Sequence, residues 1–404
     1  ILALAVVSIV FRKRPRFFST ISLFILLFLA TGLLQQTMVH WGALHPAERG
    51  MQQNDSYFDH FYRLSAQNNV IHIVPDQAQG AMLHDIFESE YGRYGEMFDG
   101  FTLFTQATGQ YKSTYPSVAF YMSGEAPDPE YDLVSKQPYT WEYIDQTLRE
   151  KSIVSTLARN GFDTYGFQFH PGIFCKGQYT ACAGTHEEIF VGGAIWSPAR
   201  RLANAVTTGL DIGLFQISPV FLREKIFDDG RWLLRRLSKG APTHSGILDL
   251  FMQDMQVTDS PGTYNYFHHA GAHAPLLFDR DCNYTGPRKV NQENQREQVQ
   301  CTLTQLAELV QVLKEKKLFE QSMIVVNGDH GSPWLPEGYT DRAGTVVPES
   351  LMGMASTLLM VKPPGAHGPL QFSNVPACIG DIAATIAGTL GVGNNHAGVP
   401  LFSK

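Results

Sequence analysis

Residues 69–76 read NVIHIVPD and residues 324–331 read IVVNGDHG. Each is a short β-rich run bounded by polar residues, the pattern of a strand buried on both faces. Each also delivers acidic or imidazole side chains just past its last apolar residue: Asp76 in the first case, Asp329 and His330 in the second. Gly328 and Gly331 give the second run room for a tight backbone turn. A carboxylate and an imidazole side by side at a strand end suit a divalent metal. For Asp76 taken alone, a turn or cap residue is the alternative reading.

The intervening chain repeats the same logic. In SIVSTLARNGF (152–162), Ile153, Val154 and Leu157 share a helical face and Asn160-Gly161 is a stop signal. DTYGFQF then reads as a strand ending at His170, and TYNYF (263–267) as one ending at His268. Val299, Leu303, Leu306, Val310 and Leu313 fall at helical spacing and predict a long helix over 294–317, ahead of the 322–326 strand. DIAATIAGTLGV (381–392) is a further helix with a glycine stop. Strands alternating with helices predict an α/β fold with a mostly parallel central sheet covered by helices on both faces. Ligands in such sheets bind beyond the carboxyl ends of the strands. Asp76, His170, His268 and Asp329 all stand at such ends, which points to one shared site.

Two more segments carry chemistry. In KSTYPSVAFYMSG (112–124), Pro116 fits the first turn of a helix and Gly124 its end. Thr114 then lies just before a helix N-terminus, where free N–H groups and the helix dipole favour a phosphate. A metal can activate its hydroxyl as a nucleophile; the alternative is a simple N-cap. HHAGAHAP places His268, His269 and His273 close together after a strand. Such a cluster contacts metals or anions, or else is a solvated loop.

The chain has 404 residues, 44% hydrophobic and 17% charged, which excludes disorder; its net charge of -7 argues against a nucleic-acid binder. Residues 17–34 carry no charge and follow the basic run FRKRPR. That predicts a membrane helix with the basic cluster on the cytoplasmic side. ILALAVVSIVF before it reads as the tail of an earlier helix. Residues 1–41 are thus expected to be a transmembrane region, 42–67 a juxtamembrane linker and 68–404 a catalytic domain outside the cytoplasm. A cleaved signal peptide is the alternative. Cys175/Cys182 and Cys282/Cys301 suit disulfides of an oxidising compartment, and Cys378 a buried thiol; all five reduced and buried is the other reading.

Taken in order, these elements resemble the alkaline phosphatase/sulfatase superfamily over roughly residues 68–404. NVIHIVPD resembles its first metal-binding strand and IVVNGDHG its second metal motif. TYPSVAFYMSG is similar to the sulfatase C-x-P-x-R signature, and SNVPACIGDIAATIAGTLGV (373–392) to the C-terminal helix. HHAGAHAP is similar to the H-x-x-G-S-H-G-P stretch of phosphoethanolamine transferases. The resemblance implies Asp76, Thr114, Asp329 and His330 as ligands of a divalent metal (Zn, Mn or Mg), and Thr114 as nucleophile. It implies His170, His268 and His273 as substrate contacts. Thr114 and Val118 stand where sulfatases need Cys or Ser and an Arg, which argues against a sulfatase. Gln77 stands where sulfatases often have a second Asp, which favours one firmly held metal. A Thr nucleophile behind a membrane anchor resembles the phosphoethanolamine and phosphoglycerol transferases. That implies a phospholipid donor, a glycan or lipid acceptor, and a bacterial inner-membrane protein with a periplasmic or extracellular catalytic domain. A phosphodiesterase or sulfatase-like hydrolase, and a non-catalytic lipid-binding protein keeping the fold, are the alternatives.

Overall fold

A computed structural model of the chain describes residues 61–126, 141–168, 171–184, 198–228, 231–234, 246–334, 349–393 and 395–403. The expected transmembrane region and His170 lie outside the described residues. Among the described residues, no helix is long and apolar enough to cross a membrane. The chain divides into two units, one of residues 58–197 and 239–404, the other of residues 1–57 and 198–238.

The larger unit is built on eight strands: β1 (Asn69–Pro75), β2 (Thr102–Phe104), β3 (Asp163–Gln168), β4 (Ala181–Gly184), β5 (Thr263–His269), β6 (Ser322–Asn327), β7 (Leu359–Lys362) and β8 (Gln371–Ser373). They form one sheet in the order β8-β2-β7-β6-β1-β5-β3-β4. The sheet is mostly parallel, as expected, but mixed: β7 runs antiparallel to both β6 and β2. NVIHIVP forms β1, buried at every position, as does SMIVVN in β6.

Period-two alternation sorts the strand residues onto two cores. Ile71, Ile73, Phe267, Ile324 and Val326 face one side with Val299, Leu303, Leu306, Leu309, Val310 and Leu313 of the long helix Gln292–Glu315. Val70, Val74, Tyr264, Met323 and Val325 face the other, against the helices Thr114–Ser123, Ile153–Arg159 and Ile382–Leu390. Helices on both faces bury the backbone of the central strands away from water, so the sheet must satisfy its own hydrogen bonds.

Two expectations about organisation change. The linker expected over 42–67 ends earlier, because Arg63–Ser65 already pairs in parallel with Gln256–Thr258, and Phe61, Tyr62 and Leu64 are buried in the core. The segment 198–238, expected to be part of a continuous 68–404 domain, groups outside the sheet unit; it is described further below. Both expected disulfides, Cys175–Cys182 and Cys282–Cys301, are formed. Cys378 stands outside them and is half-buried rather than buried, at the entry to the C-terminal helix.

His72, in the middle of β1, is fully buried and ties three strands together. Its Nδ1 lies 2.8 Å from the Tyr264 hydroxyl on β5, and its Nε2 2.6 Å from Asn327 Oδ1 on β6. Burial lowers its pKa to about 4, so the ring is neutral in the folded state. An unfolded histidine protonates near pH 6.5. Stability present above that pH is therefore lost as pH falls toward 4, by about 3 kcal/mol from this residue. Denaturant midpoints at pH 7 and pH 4.5 check this: the acid loss should be smaller in His72→Gln by about that amount, and equal losses in both chains would contradict it.

Candidate active site

The register of the central strands assembles the site. Ile73 of β1 pairs with Val326 of β6, and each stands three residues before its carboxylate, Asp76 or Asp329. Val74 pairs with His268 of β5. The apolar runs therefore set the polar residues level with one another at the carboxyl end of the sheet, and β1 is the strand both neighbours measure against. Asp76, Asp329 and His330 are all buried, and their candidate ligand atoms lie within 4.8 Å of one another. His330 Nε2 is 3.5 Å from Asp329 Oδ2 and 3.8 Å from Asp76 Oδ1.

Several features show that this cluster fits a cation. Asp76 Oδ1 and Asp329 Oδ2 are buried oxygens with no hydrogen-bond partner, a costly arrangement for acceptors withdrawn from water. Burial pushes the Asp76 carboxyl well above the usual carboxylate range, and the nearby Asp329 charge adds to the rise. For Asp329, burial acts upward too, but His330, His268, the Gln77 N–H and Thr114 together hold it below its ordinary value. His330 Nδ1 is 2.9 Å from the Gly331 carbonyl, an acceptor, which leaves Nε2 as the ring nitrogen beside the carboxylates. Asp76, Asp329 and His330 are thus the residues that would hold a divalent metal.

The turns that carry these groups are closely packed. The Gly328 and Gly331 turn expected from sequence is present, and its requirement for glycine is one of space. A Cβ on Gly328 would lie 2.3 Å from the Ala78 carbonyl oxygen, and one on Gly331 2.1 Å from that of Gly353. The Gln79 amide binds the carbonyls of Ser332, Trp334 and Gly353, holding the chain beyond His330 in place.

Thr114 is the first residue of the helix Thr114–Ser123, one position later than the sequence suggests. Ser113 occupies the N-cap and makes no side-chain cap bond. Thr114 therefore does not hold the cap position; its side chain is among the groups that hold the Asp329 carboxyl below its ordinary value. Gly124 ends the helix in the left-handed conformation expected of it, at φ 79°. The Tyr121 hydroxyl of this helix is 2.5 Å from that of Tyr266, two residues before His268 on β5. That contact fixes the helix, and so Thr114, against the strand that supplies His268. Val118 is fully buried in the apolar core between helix and sheet. An arginine there would have to place its charge in that core, so the position that distinguishes sulfatases is closed to one.

Of the expected substrate contacts, His268 comes nearest the cluster: its Nε2 is 3.7 Å from Asp76 Oδ2. It belongs with the carboxylates more closely than its sequence role implied. His273 is exposed in the loop after β5, with Nδ1 2.6 Å from the Ala274 carbonyl. The contribution missed from sequence is the backbone of Gln77. Its φ of 63° is left-handed, which a residue with a Cβ adopts rarely, and it aims the Gln77 N–H at Asp329 Oδ1, 3.0 Å away. Only its position beside Asp76 hinted at this.

No protein-family model and no curated protein matches the chain. Solved structures do. Ps i-CgsB matches with a TM-score of 0.50 and 15% identity, covering 83% of this chain and 76% of its own. The lipoteichoic acid synthase LtaP from Listeria monocytogenes matches at 0.45 and 15%, covering 83% and 74%. The C-terminal periplasmic domain of the phosphoethanolamine transferase EptC from Campylobacter jejuni matches at 0.41 and 13%, covering 81% and 91%. At these identities the likeness is one of fold alone: an α/β fold with a mixed central sheet.

Proposed function

We propose that the protein is a metal-dependent enzyme that transfers a phosphoethanolamine- or phosphoglycerol-type group from a phospholipid to a glycan or lipid acceptor outside the cytoplasm. The observation that carries this reading is the placement of Thr114 as the first residue of a helix, outside the cap position, with its side chain among the groups that hold Asp329 of the candidate metal cluster below its ordinary pKa. A divalent cation held by Asp76, Asp329 and His330 would neutralise charge on the phosphoryl oxygens and favour ionisation of a nearby hydroxyl.

The chain's own residues supply the rest. The Thr114 oxygen attacks the donor phosphorus, the bond from phosphorus to the diacylglycerol oxygen breaks, and diacylglycerol leaves. Asp329, whose carboxyl Thr114 helps hold below its ordinary pKa, would accept the hydroxyl proton. The group remains on Thr114 as a phosphodiester, beside the N–H groups of the first helical turn. An acceptor hydroxyl then attacks the same phosphorus and restores Thr114. Positioning and charge complementarity account for most of the rate in such transfers. The buried Val118 supports phosphoryl rather than sulfuryl chemistry, and the two disulfides support an oxidising compartment.

The test is turnover of phosphatidylethanolamine, phosphatidylglycerol and an aryl phosphodiester by the full chain with Zn, Mn or Mg. The expected result is release of diacylglycerol or phenol with at least one metal. Release without any transfer to added acceptors indicates a hydrolase on the same site. No turnover of any substrate with any metal would contradict the enzyme reading and favour a lipid-binding protein.

A further inference from the structure

Residues 198–238 group outside the sheet unit, and none of the described ones is among the candidate metal ligands named above. They contain two successive helices, Pro198–Ile217 and Val220–Ile226, joined at Ser218-Pro219. This short segment presents an unusual amount of apolar surface. Val220 and Phe221, the first two residues of the second helix, are each 77% exposed, more than any other large hydrophobic residue among those described. Ile217, Leu210 and Val206 are exposed as well. On a helix of 3.6 residues per turn, positions 206, 210 and 217 fall on one stripe, which leads to the turn. A soluble domain rarely leaves such a contiguous patch without an occupant.

The charge of the segment says what kind of occupant fits. Residues 198–238 hold seven Lys and Arg against four Asp and Glu, a net +3 in a chain whose total is -7. One of the four acids is withdrawn from the surface: Asp211 is buried and accepts the Leu234 N–H at 2.8 Å. Arg223 lies over the Phe215 ring, 5.3 Å from its centroid, with its Nε donating to the Ser218 carbonyl, so a cation is held close to the apolar turn. Exposed apolar residues and an excess of basic residues within one short segment are the composition of an element that rests in the interface of an anionic bilayer. An apolar face built to meet another protein core has no need of that charge.

We infer that the helical hairpin at 198–238 is a membrane-docking element, inserting Ile217, Val220 and Phe221 into the interface of an anionic lipid surface. The inference shares only its membrane setting with the proposed function and requires no catalytic step.

The test uses the full chain in vesicles that contain a photoactivatable phosphatidylglycerol, with lipid adducts mapped by mass spectrometry. Adducts are expected on residues 217–222, and fewer are expected when the vesicles and probe are phosphatidylcholine. Val220→Glu with Phe221→Glu should remove these adducts without moving the thermal transition. Thr114→Ala should give the same adducts as the unmodified chain, so that docking and catalysis fail or succeed separately. Adducts confined to other parts of the chain overturn the inference. So does lipid-free cross-linking of Phe221 to a second copy, or to residues 1–57, that persists unchanged in vesicles.

Discussion

Thr114→Ala is expected to keep the fold and the metal while turnover falls by at least ~10³-fold, the loss typical when a nucleophile that works as part of a unit is removed. The side chain lies at the first turn of its helix, and Ser113 rather than Thr114 occupies the cap, so the substitution removes no capping bond. It takes away the hydroxyl that influences Asp329 and that, in the proposed mechanism, attacks phosphorus. Thr114→Ser keeps the hydroxyl and should retain part of the activity. Equal turnover by Thr114→Ala and the unmodified protein would end the proposed mechanism.

The second large effect is on metal content. His330→Ala and Asp329→Ala should each reduce bound divalent metal from near-stoichiometric to near zero in the purified full chain, as read by elemental analysis. The two substitutions remove different things. His330→Ala deletes the ring nitrogen beside the carboxylates, leaving Asp76 and Asp329 opposed. Asp329→Ala also leaves the Gln77 N–H, held in a left-handed turn, without its acceptor, so it should cost stability as well as metal. Unchanged stoichiometry in both variants would refute the assignment of the cluster.

The parts of this architecture that the sequence reveals are those governed by local pattern. β1 and β6 are legible because each is a short β-rich run between polar residues, and their ends place Asp76, Asp329 and His330 without further help. The long helix is legible from its spacing, and the disulfides from the pairing of cysteines in a chain with an apolar N-terminal run. What escapes sequence depends on partners distant in the chain. The reversed direction of β7 is fixed by its neighbours β6 and β2, not by its four residues. His268 meets Asp76 only through the β1–β5 register. Gln77 acts through its backbone, and nothing in a glutamine side chain signals a left-handed φ. The 198–238 hairpin gave no motif at all; its exposed apolar turn becomes visible only when burial is known.

The most direct test of the account is to look for the group on the enzyme. The full chain, loaded with metal, is mixed with phosphatidylethanolamine in the absence of an acceptor, quenched in acid and digested. The expected result is one phosphoethanolamine group on the peptide that contains Thr114, absent from Thr114→Ala and lost when an acceptor is supplied. Steady release of diacylglycerol with no modified Thr114, or with the group on another residue, would contradict it.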